Sequence, residues 1–109
     1  MSLNEVWATG LFEGEGSITI NKRWKAVSLQ VTSTDLDVLT RFANIFTGGH
    51  LYNATRYNGR KPAWNYYISR KVEVRKVLEA MMPYLGERRA AKALDALDRL
   101  DGCYEDYGK

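Results

Sequence analysis

Glu13 and Glu15 stand two residues apart in the run Glu13-Gly14-Glu15-Gly16, directly behind an apolar stretch holding Val6, Trp7, Ala8, Leu11 and Phe12. Residues 4–13 read as a helix, so the acids mark its end. Gly10 and Gly14 are four apart, which sets two bare backbone positions on one helix face. Glycine inside a helix costs about 1 kcal/mol relative to alanine, and close approach of another helix is the natural reason to keep two. Other candidates for chemistry are weaker. The single cysteine, Cys103, has no partner for an internal disulfide and no ligand-spaced neighbours for zinc. His50, beside Gly48-Gly49, reads as a turn or strand-start residue rather than a catalytic base.

Basic residues supply a second kind of chemistry through their distribution. From Ser17 to Ser33 the chain has Lys22, Arg23 and Lys25 and no acid; from Thr47 to Lys71 it has Arg56, Arg60, Lys61, Arg70 and Lys71, again without an acid. These stretches carry +8 and the remainder −5, although the net charge is only +3. A split of that kind gives one face of the folded domain a strong positive potential.

The elements that must position these residues are strands. Residues 17–21 and 26–32 alternate polar and apolar, the period of a half-buried strand. Residues 51–57 and 64–69 are rich in Tyr, Trp, Thr and Ile and flank an Asn58-Gly59 turn signal. Two antiparallel hairpins follow, each with an apolar underside and a polar, basic upper side. Strands of about eight or nine residues would reach nearly 30 Å and track roughly eight base pairs of major groove. The outward parity of the first hairpin offers Thr19, Asn21, Arg23, Ser28, Gln30 and Thr32 to a partner, with Gln30 suited to adenine and Arg23 to guanine. In the second hairpin Asn65 and Tyr67 face out if Trp64, Tyr66 and Ile68 face in. Its first strand is open: either Asn53 and Thr55 or Tyr52 and Arg56 face out. Lys25, Arg60, Lys61 and Arg70 suit phosphates better than bases. The plain alternative is a solvated sheet face, against which two separate acid-free hairpins weigh.

Three further helices are read from apolar spacing: Leu39, Phe42, Ala43 and Phe46 after a Thr34-Asp35-Leu36-Asp37 start with a capping hydroxyl; Val74, Val77, Leu78 and Met81, closed by Pro83; and Ala93, Ala96, Leu97 and Leu100 after Gly86. These stripes are core and carry no chemistry. The reading is one domain over 1–102 and a polar, frayed tail over 103–109.

The run from Trp7 to Ile18 resembles the LAGLIDADG signature. Ala8 stands for its first Leu, Thr9 for Ala, Gly10 for Gly, and Leu11 and Phe12 for Leu-Ile. Glu13, Gly14, Glu15 and Gly16 stand for Asp-Ala-Asp-Gly. The succession of helices and hairpins matches that homing-endonuclease family over nearly the whole chain. The resemblance implies an α+β fold of order αββαββα, its antiparallel hairpins forming a DNA-binding saddle with helices on the other face. It implies a homodimer, since one motif is present, in which Trp7, Gly10, Leu11 and Gly14 meet their symmetry mates over a pseudo-palindromic site. It makes Glu15 the catalytic carboxylate, holding Mg²⁺ or Mn²⁺ with the Gly14 carbonyl, and leaves Glu13 open between function and a helix-end cap. Ser33 occupies the place of a water-organising polar residue, or is a helix cap. Arg88, with Arg89 and Lys92 as rivals, occupies the place of a basic residue near the phosphate, where arginine acts electrostatically.

The expected activity is metal-dependent, site-specific cleavage of double-stranded DNA by an enzyme carried on an intron, phage or other mobile element. The alternative is a cleavage-deficient DNA-binding regulator, or an RNA maturase with intron RNA as partner. A single-strand RNA binder of the two-helix, four-strand type would begin with a strand and carry stacking aromatics, and this chain does neither. No apolar run approaches the roughly 18–20 residues of a membrane helix, and the first residues lack a signal peptide's pattern. A cytoplasmic or nucleoid location in a bacterial or phage-infected host, or an organelle, is expected, without secretion.

Overall fold

The computed structural model describes residues 3–21, 23, 26–54 and 62–107, with side chains up to Leu100. Its elements run α1 (Leu3–Glu15), β1 (Gly16–Asn21), β2 (Ala26–Ser33), α2 (Leu36–Ile45), β3 (His50–Asn53), β4 (Trp64–Ile68), α3 (Lys71–Met81), a 3₁₀ turn (Met82–Tyr84) and α4 (Glu87–Tyr107). This is the expected αββαββα order with one more helix. The four strands form a single antiparallel sheet in the order β1-β2-β4-β3, so the two hairpins join along β2 and β4.

Register decides which side chains face where. Val27, Leu29 and Val31 of β2 lie opposite Ile20, Ile18 and Gly16 of β1, and Leu29 and Val31 also lie opposite Ile68 and Tyr66 of β4. These residues, mostly buried, form the underside on which the helices pack. Phe12 of α1, Leu39 and Phe42 of α2, Val74, Leu78 and Met81 of α3, and Ala93, Ala96 and Leu100 of α4 complete one core cluster. Burying a phenylalanine fully contributes about 1.5–3 kcal/mol, so Phe12 and Phe42, both almost inaccessible, anchor their helices firmly.

The second hairpin takes the option that sends Tyr52 outward. Tyr52 pairs with Asn65 and His50 with Tyr67, whereas Leu51 and Asn53 share the underside with Tyr66 and Trp64. Thr55, Arg56, the Asn58-Gly59 turn, Arg60 and Lys61 lie outside the described residues, as does Lys25 in the first hairpin. Among the described residues β2 has 8 residues, β1 has 6, β4 has 5 and β3 has 4.

The α2–β3 connection is held from inside the core. The Tyr66 hydroxyl donates to the Phe46 carbonyl at 2.6 Å and accepts the Gly49 N–H at 2.9 Å, while Gly48 turns the chain at a φ of 98°. Burial pushes the Tyr66 phenol above the ordinary tyrosine range; the Gly49 N–H partly offsets this and the nearby Glu73 charge adds to it. A phenol raised above its unfolded value contributes stability fully present below about pH 10 and lost as pH rises through the folded value. Tyr66→Phe is therefore expected to cost about 1–3 kcal/mol at neutral pH and to remove this alkaline loss, both read by denaturant unfolding across pH.

Two local expectations change. The helix cap of α2 is the Asp35 carboxylate, which accepts the Asp37 N–H at 3.1 Å, rather than the Thr34 hydroxyl. Past Gly102 the backbone remains helical: α4 continues through it to Tyr107. A glycine costs a propagating helix about 1 kcal/mol, too little to end it where the preceding turns are anchored in a core.

Candidate active site and nucleic-acid interface

α1 runs straight into β1, with Glu15 its last residue and Gly16 the first of the strand. The junction rests on the Phe12 ring: a Cβ on Gly16 would stand within 2.7 Å of three ring atoms. Phe12 is fully buried and has nowhere to swing. Gly16→Ala is accordingly expected to destabilise the fold by about 1–3 kcal/mol through overpacking, and denaturant unfolding would measure it.

Glu13 is occupied by α4. Its carboxylate accepts the Gly86 N–H at 2.8 Å and faces the Arg89 guanidinium at 3.5 Å, and its carbonyl accepts from Arg89 at 3.1 Å. Arg89 also lies 5.4 Å from the Phe12 ring centre. Gly86 opens α4, its carbonyl accepting the Ala90 N–H. The Glu13 carboxylate thus supplies from another helix the anionic cap that a helix start favours. These contacts are those of the cap reading of Glu13. Arg89 is committed to that cap, whereas Arg88 and Lys92 have no hydrogen-bond or ion-pair partner among the described residues. Both are exposed and border a groove with Gly16, Ser17 and Ile18 at the start of β1.

Glu15 takes no part in these contacts. It is exposed and has no hydrogen-bond or ion-pair partner among the described residues. The adjacent carbonyls belong to the last turn of α1, where the helix presents unpaired acceptors and its negative end. Ser33 closes β2 at the same end of the sheet, since Gly16 pairs with Val31. Its hydroxyl accepts the Asp35 N–H at 3.0 Å, tying it into the turn before α2.

The flank of α1 carrying Gly10 and Gly14 meets nothing. A Cβ at either glycine would have no neighbour within 4 Å. Leu3 and Val6 lie exposed on the same side. The other two residues expected at a dimer contact sit at its edge: Trp7 and Leu11 are half-buried against the chain's own core, and Arg41 covers the Trp7 ring at 3.9 Å.

The upper face of the sheet carries the polar set that alternation marked out. Thr19, Asn21, Ser28, Gln30, Thr32, Asn65 and Tyr67 all share it by register, and one row crosses all four strands as Ser17, Gln30, Tyr67 and His50. Ser17 and His50 belong there and were not among the expected contacts, and Tyr52 joins them by the outward option left open for its strand; strand parity with Thr19 already pointed to Ser17. Arg23 is exposed at the hairpin tip, where its N–H is held by the Asn21 side chain at 3.1 Å. Arg70 is exposed at the start of α3. Asn65 differs from the expectation of a base reader. It is only 2% exposed, because its amide is spent on Thr32 and Tyr52.

Comparison with known proteins agrees with this geometry. The fold is that of I-CeuI, a group I intron-encoded homing endonuclease solved in complex with DNA (TM-score 0.78, 16% identity, 97% of this chain and 57% of that one). It is also that of the homing endonuclease I-TnaI (0.71, 19%, 97% and 77%) and of the meganuclease I-AabMI bound to uncleaved DNA (0.73, 18%, 96% and 38%). The chain therefore spans little more than half the length of I-CeuI. No curated protein matches it in sequence. The family model described as LAGLIDADG endonuclease matches residues 8–98, from the glycine-bearing helix to the last core turns of α4, and the chain belongs to that family.

Proposed function

We propose that this chain is one half of a symmetric homodimer that binds double-stranded DNA on the upper face of its sheet and hydrolyses a phosphodiester bond in each strand. The carrying observation is the open flank of α1. Two helix glycines face empty space on a helix that delivers an exposed carboxylate, Glu15, at its C-terminal end. A second α1 laid against that flank would bring two Glu15 side chains together at a two-fold axis. Two such carboxylates repel unless a cation lies between them.

The donor chemistry suits a divalent ion of the Mg²⁺ class, which prefers hard oxygens from carboxylate, carbonyl, water and phosphate. In each chain the Glu15 carboxylate and the Gly14 carbonyl would hold the ion. When bound, such an ion lowers the pKa of a water and neutralises charge on the leaving oxygen. The chain's own groups do the rest. Arg88 and Lys92 line the groove beside β1 and stabilise phosphate charge from there. Arg88 acts as a fixed cation, since guanidinium does not give up its proton at neutral pH. The sheet fixes the register of the duplex through Gln30, Tyr67 and their row, and basic residues of the hairpins hold its phosphates. Two copies related by a two-fold would read two similar half-sites, a pseudo-palindrome.

The test is selection from a randomised duplex pool with the purified protein in Ca²⁺, followed by Mg²⁺. Enrichment of a pseudo-palindromic site and its cleavage near the centre is the expected result. Enrichment without cleavage would move the function to a DNA-binding regulator or maturase. No enrichment would remove the DNA-binding reading.

A further inference from the structure

Among the described residues Asn65 is the one amide on the upper face that is nine-tenths hidden and more, at 2% exposure. It sits in the middle of a row of three: Thr32 lies opposite it on β2 and Tyr52 opposite it on β3. The Thr32 hydroxyl donates to Asn65 Oδ1 at 2.7 Å, and Asn65 Nδ2 donates to the Tyr52 hydroxyl at 2.6 Å. An amide has fixed polarity, with acceptor and donor on different atoms. Each hydroxyl carries one proton. Thr32 has spent its proton on Asn65, which leaves its lone pairs outward. Tyr52 has received a proton, so its own O–H is directed away from Asn65, and the ring is 49% exposed.

We propose that Asn65 is a positioning residue that sets the hydrogen-bond polarity of this row, presenting Tyr52 as a donor and Thr32 as an acceptor to the base edges of the duplex. The proposal rests on the reading of the sheet's upper face as the DNA-binding surface. The row lies at the end of the sheet where α1 enters β1, since Gly16 pairs with Val31, and away from the tip that joins Asn21 to Ala26. It therefore addresses base pairs near the two-fold axis of the dimer, the inner part of each half-site. In the major groove guanine offers two acceptors and thymine one, whereas cytosine offers an amino donor. A Tyr52 held as donor selects guanine or thymine against cytosine at its position.

The experiment compares duplex selection in Ca²⁺ by the wild-type chain, Tyr52→Phe and Asn65→Asp, each first checked for a cooperative melt. Wild type is expected to show one inner position per half-site at which guanine or thymine is preferred over cytosine. Tyr52→Phe is expected to reduce that preference about tenfold, the worth of one well-made hydrogen bond, and to leave the outer positions unchanged. Asn65→Asp replaces the amide by a group that only accepts. It draws in both hydroxyl protons, turns Tyr52 into an acceptor and shifts the preference toward the amino-bearing bases adenine and cytosine. A merely structural asparagine would not produce that reversal. If Asn65→Asp fails to fold, Tyr52→Phe still decides, because its hydroxyl is on an exposed ring. An unchanged profile in Tyr52→Phe, or a uniform loss of affinity across sequences as for a phosphate contact, overturns the polarity assignment while leaving DNA binding in place. If wild type enriches no duplex, the DNA-binding reading falls and this inference with it.

Discussion

Glu15→Gln is expected to lower the cleavage rate by about a thousandfold or more while DNA binding survives. That is roughly 4 kcal/mol of transition-state stabilisation, the scale at which a charge aimed at a reacting phosphate acts. The side chain is exposed and has no partner among the described residues, so the substitution removes a charge without removing a structural contact. The melting transition should therefore stay where it is. In the absence of divalent metal the variant should bind duplex DNA at least as tightly as wild type, because two like charges no longer face each other and the phosphates at the axis. This sign separates a catalytic Glu15 from a structural one. Parallel measurements of single-turnover cleavage in Mg²⁺ and of duplex affinity in EDTA would check it. A variant that cleaves within tenfold of wild type would take the carboxylate out of the chemistry and point to Arg88 and Lys92 as the groups that matter.

Much of this site was legible in the sequence because its signals are local. Alternation in 17–21 and 26–32 marked the upper face of the first hairpin, and register confirms each of the residues described there. The Gly10/Gly14 spacing marked a bare helix flank, and the space above both glycines is open. What was not legible depends on partners distant in sequence. Parity placed Asn65 on the upper face, but nothing near it indicates that Thr32, 33 residues earlier, and Tyr52, 13 earlier, close over its amide. Glu13 is similar: its use as a cap depends on Gly86 and Arg89, brought to it only when the start of α4 reaches the end of α1. The register of β3 was ambiguous because its side chains are exposed on both faces, so no apolar pattern pins the strand. The helical run through Gly102 was missed for the opposite reason. A local breaker signal was overridden by a long helix already anchored at Ala93, Ala96 and Leu100.

The second large effect is expected at Gly10. Within a single chain Gly10→Leu should do no harm: a Cβ there meets nothing within 4 Å, and leucine is favoured over glycine inside a helix by about 0.8–1 kcal/mol. The effect should fall on assembly. Helices packed through ordinary side chains sit about 8–10 Å apart, and glycine permits a closer approach. A leucine from each copy at a two-fold contact would hold the two α1 helices apart. It would also separate the two Glu15 carboxylates that a shared site requires. Sedimentation should then show the mass of one chain instead of two, with helical content retained. The concentration dependence of the melting temperature that an associating protein shows should disappear. Cleavage should fall by orders of magnitude, and only part of it should return at high protein concentration. These signs must occur together, because loss of cleavage alone would follow equally from misfolding. A Gly10→Leu chain that remains dimeric and cleaves would place the second subunit somewhere other than the glycine flank, and would remove the physical reason for keeping two glycines in a helix.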